Sequence, residues 1–525
     1  MASIRNSVNL DAMIASADFA IKEKSERQYK QKEDLSVKDL REDFGVWNLL
    51  RKPDFQRETN HWSPEQVVSL LKSFLNGDLI PSVIFWGSPS YIFVIDGGHR
   101  LSVLKAWVED DFGDRFISKK YFGDDIPKEQ IKSAEKVRRL MKEEKILPFH
   151  ELDKLQKMGV EQLSEEQIQV ISTLNFRSIN IQWVTGSAEK AEVSFFNINT
   201  KGTPLDDIEE SLLITRRKPI SIAARAIIRA GGGHKYWSKF GEEVSFNIVE
   251  TAKKIHNLLF TPDIDTPVKT LDLPLGGSKG VRTALQILIE FLIISEKSRN
   301  LEVSKPDDQK DDADGSLTLS VLKNALYLIQ RMTGNDQGSL GLHPAVYFYG
   351  PTGRHSSSMF MGTCSLISRK IYDNNSKFFR DFTEVRRDLE SILVKKKDLF
   401  ATILQKFISR QRNQKYHHLL EKLIDELKNG SSLSDSKIVS LAGLEGKVVT
   451  GSATEDSVRF SDDQKSKIFI YNALKKHMKC TICHGYLDPA KSISYDHIKR
   501  VSEGGKGSYD NGQLTHPYCN QSIKN

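Results

Sequence analysis

The sequence lacks a long uncharged apolar run. Its most apolar stretch, residues 285–294, contains Glu290 and is about half the length of a membrane-spanning helix. The N-terminus has no apolar stretch followed by a small-residue cleavage site, so we expect no secretory signal. These two absences predict a cytoplasmic protein that has no membrane partner.

Cysteine is scarce. Four cysteines in 525 residues are too few for a secreted scaffold held together by disulfides. Three of them, Cys480, Cys483 and Cys519, fall near the end of the chain, and this clustering indicates metal binding.

Charge of one sign does not dominate. The chain has 76 Lys and Arg against 69 Asp and Glu, a net charge of +7. This balance permits a nucleic-acid partner and does not require one. With 39% hydrophobic residues the chain can build real cores, and its length suggests about two to four domains.

We expect an α+β, multidomain protein with an α/β N-terminal domain, a mostly α-helical middle and a small C-terminal domain. The predicted parts are a loosely docked helical arm (1–40), the α/β domain (41–217), a helical domain (218–430), a Ser- and Gly-rich linker (431–460) and the C-terminal domain (461–525).

Local patterns predict the elements around the informative motifs. Ser63 followed by Pro64 is typical of a helix start, and apolar spacing extends that helix to residue 76. Two β-rich runs, 83–86 and 91–95, are separated by a turn and predict two strands. Further helices are predicted over 126–147, 205–217, 219–230, 245–258, 281–296, 318–333, 376–428 and 461–478.

The C-terminal cysteines belong to two metal-binding knuckles. Cys480-x-x-Cys483 is followed, thirty-three positions after Cys483, by His516-x-x-Cys519. Two knuckles with two-residue gaps bring four ligands into a tetrahedron, as in structural zinc sites. Unrelated free thiols are the alternative, and the matching second knuckle favours zinc.

Asp496 and His497 lie between the knuckles. An Asp beside a His on one strand can place a carboxylate on a hard cation and an imidazole on a water. That pair suits metal-assisted hydrolysis of a phosphodiester. The dipeptide alone is common, and most such histidines have other roles.

The complete order of groups is more specific than its parts. Cys-x-x-Cys, Asp-His-Ile, Gly504-Gly505, Asn511 and His-x-x-Cys-Asn together resemble the HNH (ββα-metal) endonuclease family. This resemblance covers about 50 residues and implies that the C-terminal domain is a metal-dependent endonuclease.

The resemblance also implies a role for each matching residue. His497 is the implied general base, Asp496 and Asn520 bind one Mg²⁺ or Mn²⁺, and Asn511 pins the loop that orients His497. The implied ligands of a structural Zn²⁺ are Cys480, Cys483, His516 and Cys519.

Three positions depart from the usual pattern of that family. His516 stands where Cys is usual, Arg500 where Pro is frequent, and Lys524 one residue later than the usual lysine. None of these changes removes a catalytic group. Four basic residues surround the motif and are predicted to contact DNA phosphates, although a solvated surface is the alternative for each: Lys491, Lys499, Arg500 and Lys506.

A second motif, Asp96-Gly97-Gly98-His99-Arg100, follows the second predicted strand and opens a helix. A glycine pair at such a junction lets backbone N–H groups approach an anion, and an Arg adds a bidentate phosphate partner. A tight structural turn with a surface Arg explains the pentapeptide equally well.

Two further segments change that balance. Gln56-Arg57 lies upstream of the pentapeptide, and Asn199-Thr-Lys-Gly lies downstream. The trio resembles the GmrS-type domain, which has a ParB-like fold and a DGQQR motif, over roughly residues 40–215. The resemblance implies binding of ATP or GTP, and control of an attached HNH nuclease. The implied nucleotide-binding residues are Gln56, Arg57, Asp96, Gly97, His99, Arg100 and Asn199.

Gly98 and His99 replace the two glutamines of the usual motif. A glycine has no side chain to hydrogen-bond, so nucleotide binding is more secure here than nucleotide hydrolysis.

The whole chain therefore resembles the GmrSD-type nucleases of bacterial defence. We expect a nuclease that cuts foreign phage or plasmid DNA under the control of a nucleoside triphosphate, with the sensed DNA mark undetermined. Two alternatives remain: a nucleotide-dependent DNA-binding regulator that uses the HNH fold as a zinc-stabilised clamp, and an accessory subunit. A homo-oligomer or a defence-system partner protein stays open.

Four weaker candidates are interpreted as structure. Residues 231–234 predict a helix-ending loop, and residues 343–350 an apolar core element. Cys364 is expected to be a buried thiol. His417 and His418 are neighbours on a helix and should point to different faces, which argues against a metal pair.

Overall fold

The computed structural model describes most of the chain, in ranges separated by short gaps. The described residues are 7–17, 31–41, 45–53, 62–88, 90–123, 126–186, 190–191, 194–195, 198, 211–212, 214–232, 235–278, 281–297, 303–448 and 459–524. They fall into two compact units, Met1–Arg216 with Gly232–Tyr236, and Arg217–Gly231 with Trp237–Asn525. Within these ranges, no helix combines the length and the apolar character needed to cross a bilayer.

A mixed six-stranded sheet organises the first unit. Its strands are β1 (Ser16–Ala17), β2 (Asp34–Ser36), β3 (Leu50–Pro53), β4 (Val83–Gly87), β5 (Ile92–Asp96) and β6 (Ser178–Val184). The strand order is β1-β3-β5-β4-β6-β2. β3 is parallel to β1 and β5, and β4 is parallel to β6, while the β4–β5 and β2–β6 pairs are antiparallel.

The two strands predicted around the turn are confirmed as the β4–β5 pair. The turn between them is closed by a hydrogen bond from Ser88 N to Tyr91 O at 2.8 Å. β6 was not predicted, although Ile179 and Ile181 alternate with exposed polar residues in the way a half-buried strand requires.

Seven helices accompany this sheet among the described residues. They are α1 (Gly45–Leu49), α2 (Pro64–Asn76), α3 (Gly98–Glu109), α4 (Phe116–Phe122), α5 (Lys128–Glu143), α6 (Phe149–Leu155) and α7 (Glu165–Phe176). α2 has the predicted bounds because Ser63 and Gln66 form a capping box at its start and Gly77 adopts a left-handed conformation at its end. The core contains Phe74 and Trp107.

The N-terminal segment differs from the expected loosely docked helical arm. The described parts, 7–17 and 31–41, contain two strands and no α-helix, while residues 18–30 lie outside the described residues. Val8 and Leu10 are fully buried in the core of the first unit. Lys52 and Asp11 form a buried ion pair. This segment is therefore part of the domain core, since its apolar residues complete that core.

The second unit is mainly helical. Its helices are α8 (Pro219–Ile228), α9 (Glu242–Phe260), α10 (Val281–Lys297), α11 (Ser316–Met332), α12 (Pro344–Tyr347), α13 (Ser357–Tyr372), α14 (Ser376–Lys395), α15 (Lys397–Gln405), α16 (Ser409–Lys428), α17 (Asp435–Leu441) and α18 (Asp462–Lys475). Helices are confirmed near 219–230, 245–258, 281–296, 318–333 and 461–478. Most of 205–217 lies outside the described residues.

The single helix expected over 376–428 is three helices, α14, α15 and α16. The chain leaves helical geometry at Lys396, where φ is −112° and ψ is 26°. α13 was not predicted. It is buried along most of its length, and Cys364 within it is fully buried, as expected. Burial raises the pKa of that thiol well above its ordinary value.

Residues 343–350 form a buried element around α12, as predicted. The expected linker holds the short helix α17, whose Ile438 is fully buried. Residues 449–458 of that linker, and 233–234 of the expected glycine loop, lie outside the described residues. The C-terminal knuckles and the helical middle belong to the same compact unit.

Candidate active site and zinc site

An antiparallel hairpin carries the Asp-His pair. Strand β7 (Ser494–His497) pairs with β8 (Gly512–Thr515), so that Asp496 lies opposite Gln513 and His497 opposite Gly512. Asp496 is buried and His497 is half-buried. His497 is therefore the more accessible of the two side chains.

The Asp496 carboxylate is paired with the positively charged side chain of Lys524. Its Oδ2 accepts hydrogen bonds from Gln513 Nε2 at 2.7 Å and from Lys524 Nζ at 2.8 Å. Lys524 also donates to the backbone carbonyl of His497. The surroundings of Asp496 thus fit a cation, as expected for a carboxylate ligand.

Asn520 lies in a π-helical turn, Cys519–Ile523, directly after the second knuckle. Its Nδ2 donates to Ser494 Oγ at 2.9 Å and to Tyr495 O at 3.4 Å. These bonds hold the Asn520 side chain beside the strand that carries Asp496.

Asn511 ties together the loop that follows His497. Its Oδ1 accepts from Lys499 N at 2.7 Å, and its Nδ2 donates to Lys499 O at 3.1 Å and to Lys506 O at 2.9 Å. Gly505 is required in the same loop, because a Cβ there would collide with the carbonyl of Lys499. The loop therefore has little freedom next to His497.

The four knuckle residues converge as the spacing predicts. Ligand atoms of Cys480, Cys483, His516 and Cys519 all lie within 4.8 Å of one another, and all four residues are buried. Three sulfurs and one imidazole nitrogen form a donor set that zinc accepts.

The hydrogen bonds of His516 select the nitrogen that can bind the ion. Its Nε2 donates to Tyr486 O at 3.0 Å, which leaves Nδ1 as the lone-pair atom, 3.3 Å from Cys483 Sγ. Burial lowers the pKa of His516 and so favours the neutral imidazole that a metal needs. Among the thiols, hydrogen bonds from Cys483 and Cys519 lower the pKa of Cys480.

The zinc knuckle is joined to the helical middle by a buried carboxylate. Glu390 of α14 accepts from Tyr486 N at 2.6 Å through Oε2, and from Tyr347 OH at 2.9 Å through Oε1. Tyr486 is the residue whose carbonyl orients His516. A single residue, Tyr486, therefore connects Glu390 of the helix to the imidazole of His516.

Arg386 completes this network. Its Nε donates to Glu390 Oε1 at 2.6 Å, and its two Nη atoms donate to Leu340 O at 2.5 Å and Gly341 O at 3.0 Å. Both side chains of the ion pair are 1% exposed. Burial acts to lower the pKa of Arg386, but the charge of Glu390 and those of neighbouring groups together outweigh it and raise the pKa. A Cβ on Gly485 would lie 2.6 Å from Arg386 Nε, so only glycine fits there.

The predicted DNA-contacting residues differ in exposure. Lys499, Arg500 and Lys506 are exposed on the β7–β8 connection. Lys491, in contrast, is largely withdrawn from solvent, which lowers its pKa, and its Nζ lies 3.4 Å from Leu273 O. The half-buried Lys491 side chain therefore lies partly against the helical middle, and its contact with phosphates stays a prediction.

The N-terminal motif has the predicted strand–turn–helix geometry. Asp96 ends β5, Gly97 adopts a φ of 90°, and α3 begins at Gly98. A Cβ on Gly97 would lie 2.5 Å from Val83 Cγ1, so the strand leaves no room for a side chain. Arg100 Nη2 donates to Asp96 Oδ2 at 2.9 Å and to Ser82 O at 3.0 Å.

The His99 ring stacks on Trp62, with 5.7 Å between the ring centroids and 19° between the planes. The structure thus brings Asp96, Gly97, His99 and Arg100 together. Gln56, Arg57 and Asn199 lie outside the described residues, so their predicted contribution stays a prediction.

The two regions that contain these sites match models of known protein families. Residues 34–214 match the model of the GmrSD restriction endonuclease N-terminal domain, and residues 480–525 match the HNH endonuclease model. The chain carries both domains. No curated protein and no solved structure is significantly similar to it. A GmrSD-type domain joined to an HNH-type domain supports a nuclease of restriction-type defence, with DNA as the substrate.

Several residues in or around the HNH-type domain were not found by sequence reasoning. Glu390 and Arg386 lie on a helix distant in sequence, and no local pattern connects them with the knuckles. Gln513 is identifiable only once the β7–β8 register places it opposite Asp496. Tyr509, 95% exposed beside the basic loop, was also passed over.

The prediction for His417 and His418 is corrected by the structure. Ligand atoms of these two residues and of Glu421 lie within 4.8 Å of one another. Successive residues on a helix are about 100° apart, but the two rings tilt towards each other, with centroids 5.1 Å apart and planes at 37°. The pair is therefore not divided between separate faces.

The Glu390 network predicts a stability change. In Glu390→Ala the Arg386 guanidinium stays buried without its partner, so the free energy of unfolding should fall by about 3–5 kcal/mol. Tyr347→Phe is the matched control, since it removes one hydrogen bond to the same carboxylate and should cost about 1 kcal/mol. Urea unfolding of the full chain measures both. Equal effects of the two substitutions would show that the ion pair does not anchor the knuckle.

Proposed function

We propose that this protein is a metal-dependent DNA endonuclease that cuts foreign phage or plasmid DNA in the bacterial cytoplasm. The observation that carries the proposal is the β7–β8 hairpin, which holds Asp496 and His497, with Asn520 hydrogen-bonded to Ser494 of β7 and next in sequence to Cys519 of the buried Cys₃His cluster. The match to the HNH endonuclease model over the same residues supports it.

In the proposed mechanism His497 takes a proton from the attacking water. It is half-buried at the end of β7, where solvent can reach it, and its loop is fixed by Asn511. General-base help of this kind contributes about 10²- to 10⁴-fold to rate.

Asp496 and Asn520 would hold one Mg²⁺ or Mn²⁺ at the scissile phosphate. Such an ion, when bound, stabilises the charge that develops on the leaving oxygen. Lys524 Nζ now occupies part of the space beside Asp496 Oδ2, so this side chain has to shift when the divalent ion binds. Gln513 remains to orient the carboxylate.

The proposed DNA-binding surface is the exposed basic part of the β7–β8 connection. Lys499, Arg500 and Lys506 would contact phosphates, which fix the position of the duplex without reading its sequence. A single hydrolytic site cuts one strand in each event, so a double-strand break requires two encounters or two copies of the chain.

Substitution of the proposed base tests this mechanism. His497→Ala should lower the rate of plasmid nicking about 10²- to 10⁴-fold, with folding and zinc content unchanged. His484→Asn is the matched control, because His484 is an exposed histidine of the same domain at a φ of 58°, which Asn tolerates. Cleavage retained by His497→Ala would exclude His497 as the base.

We also propose that the N-terminal domain binds ATP or GTP. Asp96, Gly97, His99 and Arg100 meet where β5 passes into α3, and the first turn of a helix presents free N–H groups to an anion. Gln56, Arg57 and Asn199 are proposed to join them. In this role the bound nucleotide permits or restrains DNA cleavage.

Arg100 is the residue through which nucleotide binding can be tested. Arg100→Ala should weaken binding of ATP or GTP by about 1.5–3 kcal/mol, the value of a hydrogen bond to a charged group. Arg115→Ala is the control, since Arg115 is an exposed arginine that pairs with Asp110 in the same domain. Calorimetric titration of the full chain measures both. An affinity unchanged by Arg100→Ala would mean that the motif is only a structural turn.

A DNA-binding regulator that uses the HNH fold as a zinc-stabilised clamp is the second candidate. The exposed basic loop and the Cys₃His cluster serve a clamp equally well, but a clamp has no need of the Asp496, His497 and Asn520 trio. An accessory subunit is the third, and copurification of a second protein chain would favour it. The mark or sequence that selects the DNA would then belong to that partner.

A further inference from the structure

A second cluster of metal-binding side chains lies on α16, within the helical middle. His417, His418 and Glu421 each offer one ligand atom, and these atoms lie within 4.8 Å of one another. Among the described residues, only this cluster and the Cys₃His cluster combine three or more such donors at this separation. The HNH reaction does not use it.

The position of His417 suits a metal ligand. Its side chain is 12% exposed, and its Nδ1 is hydrogen-bonded to Ser365 Oγ of α13 at 2.9 Å. Its Nε2 faces Glu421 Oε2 at a distance of 4.0 Å. Metal-binding histidines commonly have this arrangement, in which a hydrogen bond to one ring nitrogen orients the other towards the ion.

Two basic groups of α13, Lys370 and Arg369, lie near the His417 ring, and both are already paired. Lys370 Nζ is bound to Glu421 Oε1, and Arg369 Nε is paired with Asp373 Oδ2 at 3.0 Å. Carboxylates therefore balance the positive charges beside the cluster.

Glu421 uses its two oxygens separately. Oε1 is bound to Lys370 Nζ, while Oε2 faces the His417 ring. One carboxylate oxygen is therefore directed towards the imidazoles.

These donors favour a particular class of ion. Lys370 neutralises the single carboxylate, so the cluster has little excess negative charge to attract Mg²⁺ or Ca²⁺. Two imidazole nitrogens and one carboxylate oxygen suit Zn²⁺, Ni²⁺ or Cu²⁺. A zinc ion with ligands at about 2.0–2.1 Å would draw these donor atoms closer together, and the exposed His418 side chain is the one with room to move.

We propose that His417, His418 and Glu421 form a second transition-metal site, separate from the zinc knuckle. The site has three protein ligands and an open fourth position for water. Because Ser365 and Lys370 belong to α13 and the three ligands to α16, an ion here would stabilise the packing of these two helices. A ligand that binds only the folded state raises its stability by mass action.

Metal stoichiometry of the full-length protein, prepared without a histidine tag, tests the proposal. After equilibration at a fixed free Zn²⁺ concentration, the number of zinc ions bound per chain is measured by inductively coupled plasma mass spectrometry. His418→Ala and Glu421→Gln should each hold one equivalent less than the wild type. His150→Ala removes an exposed histidine of α6 and should hold as much zinc as the wild type.

Because the result is a difference between proteins, it does not depend on how much zinc the knuckle holds. Thermal unfolding with Ni²⁺ gives a second measurement, in which the ion should raise the melting temperature of the wild type and not that of His418→Ala. Equal zinc content in wild type, His418→Ala and Glu421→Gln would overturn the proposal. So would an equal loss in His150→Ala, which would indicate nonspecific surface binding.

Discussion

The C-terminal half of this protein depends on a buried ion pair between Arg386 and Glu390. Two full charges withdrawn from water are stable only if every remaining hydrogen-bonding group finds a partner. Here the partners are the carbonyls of Leu340 and Gly341, the Tyr347 hydroxyl and the Tyr486 amide. Because Tyr486 closely follows Cys483, the same bonds that satisfy the charges attach the first knuckle to the helices. The helical middle thus supports the C-terminal Cys₃His cluster.

Those parts of the site that are encoded locally could be predicted from the sequence. The spacing of Cys480, Cys483, His516 and Cys519 predicted their convergence, because two-residue gaps constrain the chain at each knuckle. The glycine pair after Asp96 predicted a strand–turn–helix junction. The structure shows why glycine is needed there, because a Cβ on Gly97 would collide with Val83. Capping and apolar spacing likewise predicted α2, and two apolar, β-rich runs around a turn predicted the β4–β5 pair.

The rest depends on contacts between distant segments. Glu390 and Tyr486 are 96 positions apart in the chain. A Glu within an amphipathic helix gives no sign in the sequence that it is buried. Lys491 carries a charge that the sequence could only assign to the surface, whereas packing withdraws it from solvent. The N-terminal segment differs from the expected loosely docked arm for a related reason. Val8 and Leu10 are buried by contacts with distant parts of the first unit, which the segment's own sequence does not reveal. His417 and His418 show that residue spacing on a helix does not fix where long side chains point.

The central claim is that the β7–β8 hairpin is a hydrolytic site and more than a zinc-stabilised clamp. The most direct measurement follows supercoiled plasmid on a gel after incubation with the zinc-loaded wild-type protein, with Mg²⁺ or Mn²⁺ supplied or withheld and with or without ATP and GTP. The account predicts nicked or linear DNA that appears only when Mg²⁺ or Mn²⁺ is present. Plasmid that is bound by the protein yet stays supercoiled under every one of these conditions would contradict it.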